Sequence, residues 1–580
     1  MELNLKKHFN DLIFLPLGGA NEIGMNLNLY HLNGKWIMID CGVGFTYNIP
    51  GIDLMTPDIS FIKQHRHNLL AIILTHIHED HMGAIQYLWE ELKVPVYASQ
   101  FAGNFLRAKL SEYRLEKTVP IHVIDSNTKL NLDPFQLEFI GLTHSVPEMK
   151  AVLIKTAQGN VLHTGDWKFD PNPVIGEVSE IDKIKKLGEN QEVLAMICDS
   201  TNAINEGHSR SEGELYQSLK NLIAPAQGLV GVATFASNIA RVHTIAKIAH
   251  ELGRKIVLSG FSLHRLFEVG KKSGFFLEDY GFISDQKVKN YNKNEILAIC
   301  TGCQGEEMAS VRKIANGVHP YLNFTKNDLM IFSSKIIPGN EKKIFELFDL
   351  LAKRQISVMT EKDHFVHVSG HPSRDELREM YQLVKPKIAI PVHGEFLHTK
   401  NHCDLAKECS VERVIQTENG LAIRISKDLS LCEEIGKVKS GYFGIDGYQL
   451  IDLKSEVIRE RKKLQETGII IISIAVNDNL KLKSKSSIIS VGSYPINQDQ
   501  ETENLIHDEI ILFLKNRARE LNLDDGFGIG FLKKKKKQKL KKESKIVKDL
   551  EKQLRSRLLK IFEQLTGKRS AIEVIIHLVD

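Results

Sequence analysis

One apolar run in this chain leads directly into a cluster of metal-binding side chains. The run covers residues 69–74, and the segment His76-Ile77-His78-Glu79-Asp80-His81 follows it after one threonine. A buried strand that ends in a tight turn would bring the histidines and the aspartate of this segment to one point. Imidazole and carboxylate groups are ligands that suit zinc and similar divalent ions. The spacing therefore predicts an α/β protein with a metal site at a strand end, and the alternative is a histidine-rich surface turn.

Four ligands do not complete two metal sites, so further ligands must come from elsewhere in the chain. Three candidates each lie just past a strand-like run: His144, Asp166 and His393. Open α/β sheets place their sites at the carboxyl ends of strands, where these residues would lie. Any one of them alone could be a hydrogen-bonded turn residue. Their shared placement favours one ligand set, in which an aspartate could bridge two ions.

The ordered set of candidate ligands resembles that of the metallo-β-lactamase superfamily, and the chain as a whole is similar to the bacterial ribonucleases of its β-CASP family. The resemblance covers nearly the whole chain. The segments that carry it are residues 18–26, 40–42, 50–53, 57–59, 199–203, 234–238, 301–306, 337–341 and 367–371. Together they are more specific than the metal motif alone, which also occurs in hydrolases of thioesters and other small esters.

The resemblance implies an α/β fold, a metallo-β-lactamase αββα sandwich with an inserted β-CASP α/β domain and a small C-terminal α/β domain. The alternation of strand-like and helical stretches is typical of such lobes. The expected parts are the first part of the metallo-β-lactamase domain (1–205), the β-CASP domain (206–355), the second part with a linker (356–450) and the C-terminal domain (451–580).

The candidate ligands divide into two metal sites. One ion is assigned to His76, His78 and His144, and a second to Asp80, His81 and His393, with Asp166 as the bridge. The expected cofactors are two divalent ions, zinc first, with manganese or magnesium as alternatives. Coordination lowers the pKa of bound water from 15.7 toward about 7, which makes hydroxide available at neutral pH.

Three residues are predicted to be catalytic: Asp80, His371 and Asp199. His371 matches the histidine of the family's Ser-Gly-His or Ser-Ala-His motif, which makes it the candidate proton donor to the leaving 3′-oxygen. The alternative is a structural turn histidine. Asp199 would orient a histidine, as carboxylates do around metal sites. The alternative is a helix cap, because Asp-Ser-Thr suits the start of a helix.

A second set of residues is expected to bind the 5′-phosphate of RNA: Ser237, Asn238, His367, Val368, Ser369, Gly370 and His371. Hydroxyl, amide and backbone N–H groups at a glycine-containing turn suit an anionic phosphate, and the alternative is an ordinary polar turn. Members of the resembled family hold RNA at its 5′-monophosphate end in this way. This implies 5′→3′ exonuclease action beside endonuclease cleavage, in mRNA decay and rRNA maturation. A histidine at the position of His393 is usual in members that act on RNA.

Composition excludes some classes of function. No apolar run approaches the roughly 20 residues that span a membrane, and residues 1–7 lack the apolar core of a secretory signal. Seven cysteines argue against a disulfide framework, so a cytoplasmic location without membrane association is expected. The net charge of +4 does not by itself indicate nucleic-acid binding. The lysine-rich block 533–542 would either contact RNA phosphates or form a solvated face.

The leading prediction is therefore a two-metal ribonuclease whose partner is RNA. The resemblance implies a homodimer or homotetramer, with the C-terminal domain helping assembly. Two alternatives remain open: a catalytically inert RNA-binding scaffold, and a metallo-hydrolase of the same superfamily that acts on DNA or a small ester. The complete ligand set argues against the scaffold, the inserted domain against the ester, and His393 against DNA.

Overall fold

The computed structural model describes residues 2–46, 49–276, 280–337, 339–521, 523 and 536–579, without the side chains of 497 and 536–544. The chain forms two compact units, one of residues 1–47 and 53–450 and one of residues 48–52 and 451–580. Pro338 and residues 533–535 lie outside the described residues, as do the side chains of the lysine-rich block from 536 on. No helix of the described ranges is long and apolar enough to cross a membrane.

The first unit contains two sheets that pack face to face. In spatial order the eight-stranded sheet consists of Glu434–Lys437, Leu421–Ile425, Leu12–Gly18, Leu27–Leu32, Lys35–Ile39, Leu69–Ile73, Val96–Ala98 and Ile121–Val123. The seven-stranded sheet consists of Lys129–Leu132, Phe135–Gly141, Lys150–Lys155, Asn160–His163, Val193–Asp199, Ile388–Val392 and Arg413–Val414. Buried side chains from both sheets, among them Phe14, Ile73, Phe139 and Ile197, form one core between them.

Helices cover the outer faces of both sheets. The first sheet is covered by Ser60–Gln64, Glu79–Met82, Ile85–Leu92 and Gln100–Leu110, and the second by Ile181–Glu189, Arg374–Val384 and Phe396–Glu408. Because both faces of a central strand such as Leu69–Ile73 are covered, its sequence is a continuous apolar run rather than an alternating one. The result is a four-layer αββα sandwich.

A six-stranded parallel sheet lies between the two halves of the sandwich in the sequence. Its spatial order is Phe282–Ile283, Lys255–Ser259, Ile296–Cys300, Val230–Ala233, Leu329–Phe332 and Ser357–Met359. Helices Leu215–Ile223, Ile239–Glu251 and Phe261–Lys272 pack on one face, and Ser310–Ala315 and Glu341–Lys353 on the other. The last strand lies past residue 355, so this sheet extends beyond the predicted end of the inserted domain.

Two small sheets complete the first unit. Ala20–Asn21 pairs with Gly394–Glu395, and Leu54–Pro57 lies between Gly44–Phe45 and Tyr442–Asp446. The strand Gln449–Asp452 contains the boundary between the two units.

The second unit is a three-stranded sheet with helices. Ile469–Val476 lies between the antiparallel strand Ser487–Val491 and the parallel strand Ala571–Leu578. The helices are Glu456–Thr467, Gln500–Glu520 and Lys536–Thr566. Alternate side chains of the central strand, such as Ile470 and Ile472, are buried in a core with the two longer helices. This alternation is typical of a sheet with one covered face.

Candidate metal centre

Strand ends bring the predicted ligands together at one edge of the sandwich. The segment 76–81 follows Leu69–Ile73, Asp166 follows Asn160–His163, and His393 follows Ile388–Val392 directly. His144 lies three residues past Phe135–Gly141, a strand that is parallel to Asn160–His163 because both are antiparallel to the strand between them. Residues far apart in the sequence therefore meet because their strands end at the same edge.

The first group of candidate ligands is His76, His78, His144 and Asp166. Nδ1 of His78 lies 3.0 Å from Nε2 of His76 and 3.1 Å from Nε2 of His144. Oδ2 of Asp166 lies 3.9 Å from Nε2 of His76 and 4.0 Å from Nε2 of His144. The four ligand atoms are all within 4.8 Å of one another. Ligand atoms this close together could hold one metal ion.

The second group shares Asp166 and adds Asp80, His81 and His393. Nε2 of His81 lies 3.1 Å from Oδ2 of Asp166 and 3.6 Å from Oδ2 of Asp80. Nε2 of His393 lies 3.2 Å from the same Asp80 oxygen and 3.8 Å from that of Asp166. One oxygen of Asp166 therefore faces both groups, which is the position that a bridging carboxylate requires.

Two observations test whether these residues fit a pair of cations. Oδ1 of Asp166 is buried and has no hydrogen-bond partner among the described residues, which is costly for a carboxylate oxygen. Burial also lowers the pKa of His76 and His144 well below the usual value and that of His78 to about 4, so all three are neutral at pH 7. Neutral imidazole is the form that binds metal. The three neutral imidazoles of the first group fit a divalent cation directly. In the second group burial would lower the pKa of His81 and His393, but the Asp166 carboxylate and its neighbours raise it, so negative charge that a cation would offset is concentrated there.

The outer nitrogen of each histidine is fixed by a hydrogen bond. Nδ1 of His81 donates to Asp40 (2.7 Å) and Nδ1 of His144 to the carbonyl oxygen of Gly370 (2.6 Å). Contacts of the same kind join His76 to Thr75, His393 to Thr201 and His78 to Ser145. A proton on the outer nitrogen leaves the inner nitrogen bare for a ligand bond.

These outer partners are residues of the candidate site that the sequence alone did not single out. Thr75 donates to Asp40 at 2.9 Å, and Thr201 donates to Asp199 at 2.7 Å, so each threonine links a histidine to a buried carboxylate. Asp40 and Thr201 lie in segments that carry the family resemblance, and that resemblance is the sequence signal that could have identified them. Their partners are distant in the sequence, so the contacts themselves had no signature.

Gly42 is required by the close approach of the ligand segment. A Cβ atom at residue 42 would lie 1.8 Å from the carbonyl oxygen of Asp80, which is far inside van der Waals contact. The N–H of Cys41 donates to the carbonyl oxygen of His81, so the backbone of residues 41–42 supports the turn that carries two ligands. Only glycine leaves room for this packing.

His371 and Asp199 form a pair beside the metal centre. Nδ1 of His371 lies 2.8 Å from Oδ2 of Asp199, and no described residue bonds Nε2. Burial alone would lower the pKa of His371, but the Asp199 carboxylate raises it above the usual value. Asp199 also accepts from the N–H of Thr201, but the residues that follow form a turn and not a helix. The contact is the one expected of a carboxylate that orients a histidine.

The predicted phosphate-binding residues fall into two groups. Ser369 and His367 have unused polar atoms: the hydroxyl hydrogen of Ser369 has no acceptor among the described residues, and Nδ1 of His367 is buried without a partner. Asn238 instead caps the helix Ile239–Glu251 through the N–H of Arg241. Val368 is a buried apolar residue, and Gly370 supports His144. Ser237 follows Val230–Ala233, where its carbonyl accepts from the N–H of Ile239.

Comparison with known families assigns most of the first unit. A model of the metallo-beta-lactamase superfamily matches residues 26–204, the beta-CASP domain of ribonuclease J matches 227–351, and a Zn-dependent metallo-hydrolase RNA specificity domain matches 355–416. The fold and the site therefore define a metal-dependent hydrolase of the metallo-β-lactamase superfamily with an inserted β-CASP domain.

Relatives that match most of the chain identify the family to which it belongs. Ribonuclease J of Sinorhizobium meliloti is 38% identical over 507 residues, which cover 86% of this chain and 89% of the relative. Ribonuclease J2 of Bacillus subtilis is 34% identical, with 86% and 90% covered. Ribonuclease J of Thermus thermophilus is 32% identical, with 80% and 82% covered. The chain belongs to the ribonuclease J family and is a metal-dependent ribonuclease, as the sequence predicts.

A solved structure shares the fold at low identity. It is a protein of unknown function from Enterococcus faecalis V583, with a TM-score of 0.50 and 17% identity. The match covers 71% of this chain and all of the other. This likeness bears on the fold alone.

Proposed function

We propose that this ribonuclease holds two divalent ions, zinc in the first place, and cleaves RNA both from a 5′-monophosphate end in the 5′→3′ direction and internally. The observation that carries the proposal is that one short loop, residues 366–371, contains both His371 and the unused polar atoms of His367 and Ser369. His371, which would assist bond cleavage, thus lies two residues from Ser369 and four from His367, which would hold the anionic end.

Each ion would be held by one of the two groups of ligands. His76, His78 and His144 would hold one, Asp80, His81 and His393 the other, and Asp166 would bridge them. When bound, such ions supply a hydroxide nucleophile at neutral pH and offset the charge that develops on the phosphate oxygens. Asp80 counts as catalytic in this sense, because it would hold an ion at the reacting phosphate. The hydrogen bonds to the outer nitrogens keep the histidines aimed at the ions.

His371 would donate the proton that the leaving 3′-oxygen needs. A proton donor must be protonated at the working pH, and the Asp199 carboxylate favours the charged imidazole. The bond from Nδ1 to Asp199 leaves Nε2 as the donating nitrogen. The role of Asp199 is to orient and charge His371.

The 5′-monophosphate would bind at His367 and Ser369, and Ser237, Asn238 and the backbone of Val368 and Gly370 are proposed to contribute to the same site. Burial, together with the charges of Arg241, Lys335 and Lys168, keeps the pKa of His367 well below its usual value. A neutral imidazole still has one N–H to donate, and a hydrogen bond to an ionised phosphate is stronger than one to a neutral acceptor. The positive surroundings would favour the anionic end over a 5′-hydroxyl.

Membership in the ribonuclease J family supports a proposal for the cellular role and the assembly. We propose action in mRNA decay and rRNA maturation in the cytoplasm, as a homodimer or homotetramer. The matched RNA specificity domain, residues 355–416, contains His393 and favours RNA over DNA. An inert scaffold is disfavoured because every predicted metal ligand is present and converges.

The test is degradation of one RNA that carries a 5′-monophosphate, a 5′-triphosphate or a 5′-hydroxyl, with zinc, manganese or magnesium. We expect mononucleotides mainly from the monophosphate RNA and internal fragments from a circular form of the same sequence. The double variant His76→Ala/His78→Ala is the control and should release neither. Equal attack on all three ends would refute 5′-end reading, and cleavage of single-stranded DNA at the same rate would refute the preference for RNA.

A further inference from the structure

Asn202 lies behind the loop that carries Ser369 and His371. It is buried, and its side-chain amide makes two contacts with that loop. Nδ2 donates to Oγ of Ser369 at 2.8 Å and to the carbonyl oxygen of His371 at 3.1 Å. The second contact fixes the orientation of the amide, because a carbonyl oxygen accepts only and therefore faces the NH₂ group. Asn205 donates to Oδ1 of Asn202 at 3.0 Å and holds the other end of the amide.

The hydroxyl of Ser369 receives two hydrogen bonds. One comes from Asn202, and the other comes from the backbone N–H of His371 at 3.2 Å. A serine hydroxyl has two lone pairs and one hydrogen. Both lone pairs are therefore occupied by donors that belong to the protein. The hydrogen has no acceptor among the residues that the structure describes, so Ser369 is left as a donor only.

We propose that Asn202 is a positioning residue that makes Ser369 a dedicated hydrogen-bond donor to the 5′-terminal phosphate. The inference rests on the proposed function, in which Ser369 binds that phosphate. A fully ionised phosphate monoester offers acceptors only, so it matches a hydroxyl whose lone pairs are already occupied. A ligand group that had to donate a hydrogen bond would find no acceptor at Ser369. The amide of Asn202 thus selects an acceptor-only group without touching the substrate.

The proposal predicts defects of different size for two substitutions at residue 202. In Asn202→Asp the carboxylate accepts the hydroxyl hydrogen of Ser369, so that hydrogen can no longer be donated to the phosphate. Asn202→Ala only frees one lone pair, so the defect should be smaller. For Asn202→Asp we expect kcat/KM on 5′-monophosphate RNA to fall at least roughly tenfold more than cleavage of circular RNA, mainly through KM. Circular RNA reports the catalytic groups without any 5′ end.

A double-mutant cycle separates action through Ser369 from a general effect on the loop. If Asn202 acts through Ser369, the Asn202→Ala change has no further effect on 5′-end preference in a Ser369→Ala background. Additive losses would overturn the proposal. It would also be overturned if Asn202→Asp reduced cleavage of circular and 5′-monophosphate RNA equally, since that outcome indicates a purely structural role.

Failure of the proposed function gives a different result. If wild type attacks 5′-monophosphate and 5′-hydroxyl RNA equally, 5′-end reading itself is refuted. If wild type prefers the monophosphate and Asn202→Asp keeps that preference in full, only the role of Asn202 is refuted. Thermal unfolding of each variant, followed by circular dichroism, shows that the compared proteins are folded.

Discussion

Nδ1 of His371 lies 2.8 Å from Oδ2 of Asp199, so a histidine on the returning segment of the chain is tied to the end of the strand Val193–Asp199. The contact spans 172 residues of sequence, most of which belong to the inserted domain. A group proposed to deliver a proton thus depends on the correct closure of the sandwich around the insertion.

Asp199→Asn should reduce the rate and shift its pH dependence. The carboxylate raises the pKa of His371, and a proton donor loses activity as the pH rises through its pKa. Without the charge the pKa falls, so the alkaline limb of kcat should move to lower pH, with kcat reduced roughly 100-fold or more. The measurement is kcat on circular RNA across pH. Metal content is the control, and an unmoved alkaline limb in a metal-loaded variant would refute this role.

Asp166→Asn should lower the metal content of the purified protein. One oxygen of Asp166 faces both groups of ligands, and a neutral amide would bind both ions more weakly. We expect two ions per chain in wild type and one or fewer in the variant, measured by mass spectrometry after gel filtration. Asp125→Asn, at an exposed turn, is the matched control and should keep both ions. Two ions retained in Asp166→Asn would contradict the bridge.

His402 should make the first unit less stable in mild acid. It lies between Ser200 and Tyr381, each 2.9 Å from a ring nitrogen, and burial lowers its pKa from 6.5 to about 4. Below pH 6.5 His402 takes up a proton in the unfolded chain but not in the folded chain. The stability that the buried, neutral His402 gives the folded chain is therefore complete above pH 6.5 and is lost as the pH falls to 4. The loss is about 3 kcal/mol at most.

Denaturant unfolding at pH 7.5 and pH 5 measures this effect. All three tryptophans of the chain lie in the first unit and report its unfolding by fluorescence: Trp36, Trp89 and Trp167. The drop in unfolding free energy between the two pH values should be smaller in His402→Gln than in wild type. His67→Gln, at an exposed position, should behave as wild type. An equal drop in all three proteins would show that His402 does not contribute.

The buried ion pair of Arg241 and Glu212 should be strongly coupled. Arg241 is fully buried, donates to Glu212 through Nε and Nη2, and donates through Nη1 to the carbonyl oxygens of Ser333 and Val366. Arg241→Met alone leaves a buried carboxylate without its partner and should cost about 3–5 kcal/mol of unfolding free energy. The double variant Arg241→Met/Glu212→Met should cost less, measured by the same fluorescence. Simple additivity would contradict this coupling.

The convergence of the candidate ligands could be predicted because strand ends have a local signature. An apolar run followed by histidine or aspartate identifies residues 76–81, Asp166 and His393 without any knowledge of their neighbours. Asp40, Thr75 and Thr201 have no such signature, because each becomes important only through a partner on another strand. Asn238 was predicted to bind phosphate, but its side chain accepts a hydrogen bond from the first turn of its own helix. That hydrogen bond competes with any bond to a ligand.

The end of the inserted sheet has a weaker sequence signature than the convergence of the candidate ligands. The strand Ser357–Met359 joins the inserted sheet although the predicted domain ends at 355. A three-residue edge strand is too short to show a periodic pattern, and it pairs with only one neighbour, so its sequence carries little information.

The positions of the ligands along the chain determine when, during synthesis, the candidate metal centre can be completed. Asp80 and His393 face the same space but are 313 residues apart, and the strand that precedes His393 lies between two others in the second sheet. A growing chain therefore exposes most of its ligands long before it can complete the second group or close that sheet. On this arrangement a ribosome that translates the enzyme carries an incomplete nuclease until residue 393 of 580 has been added.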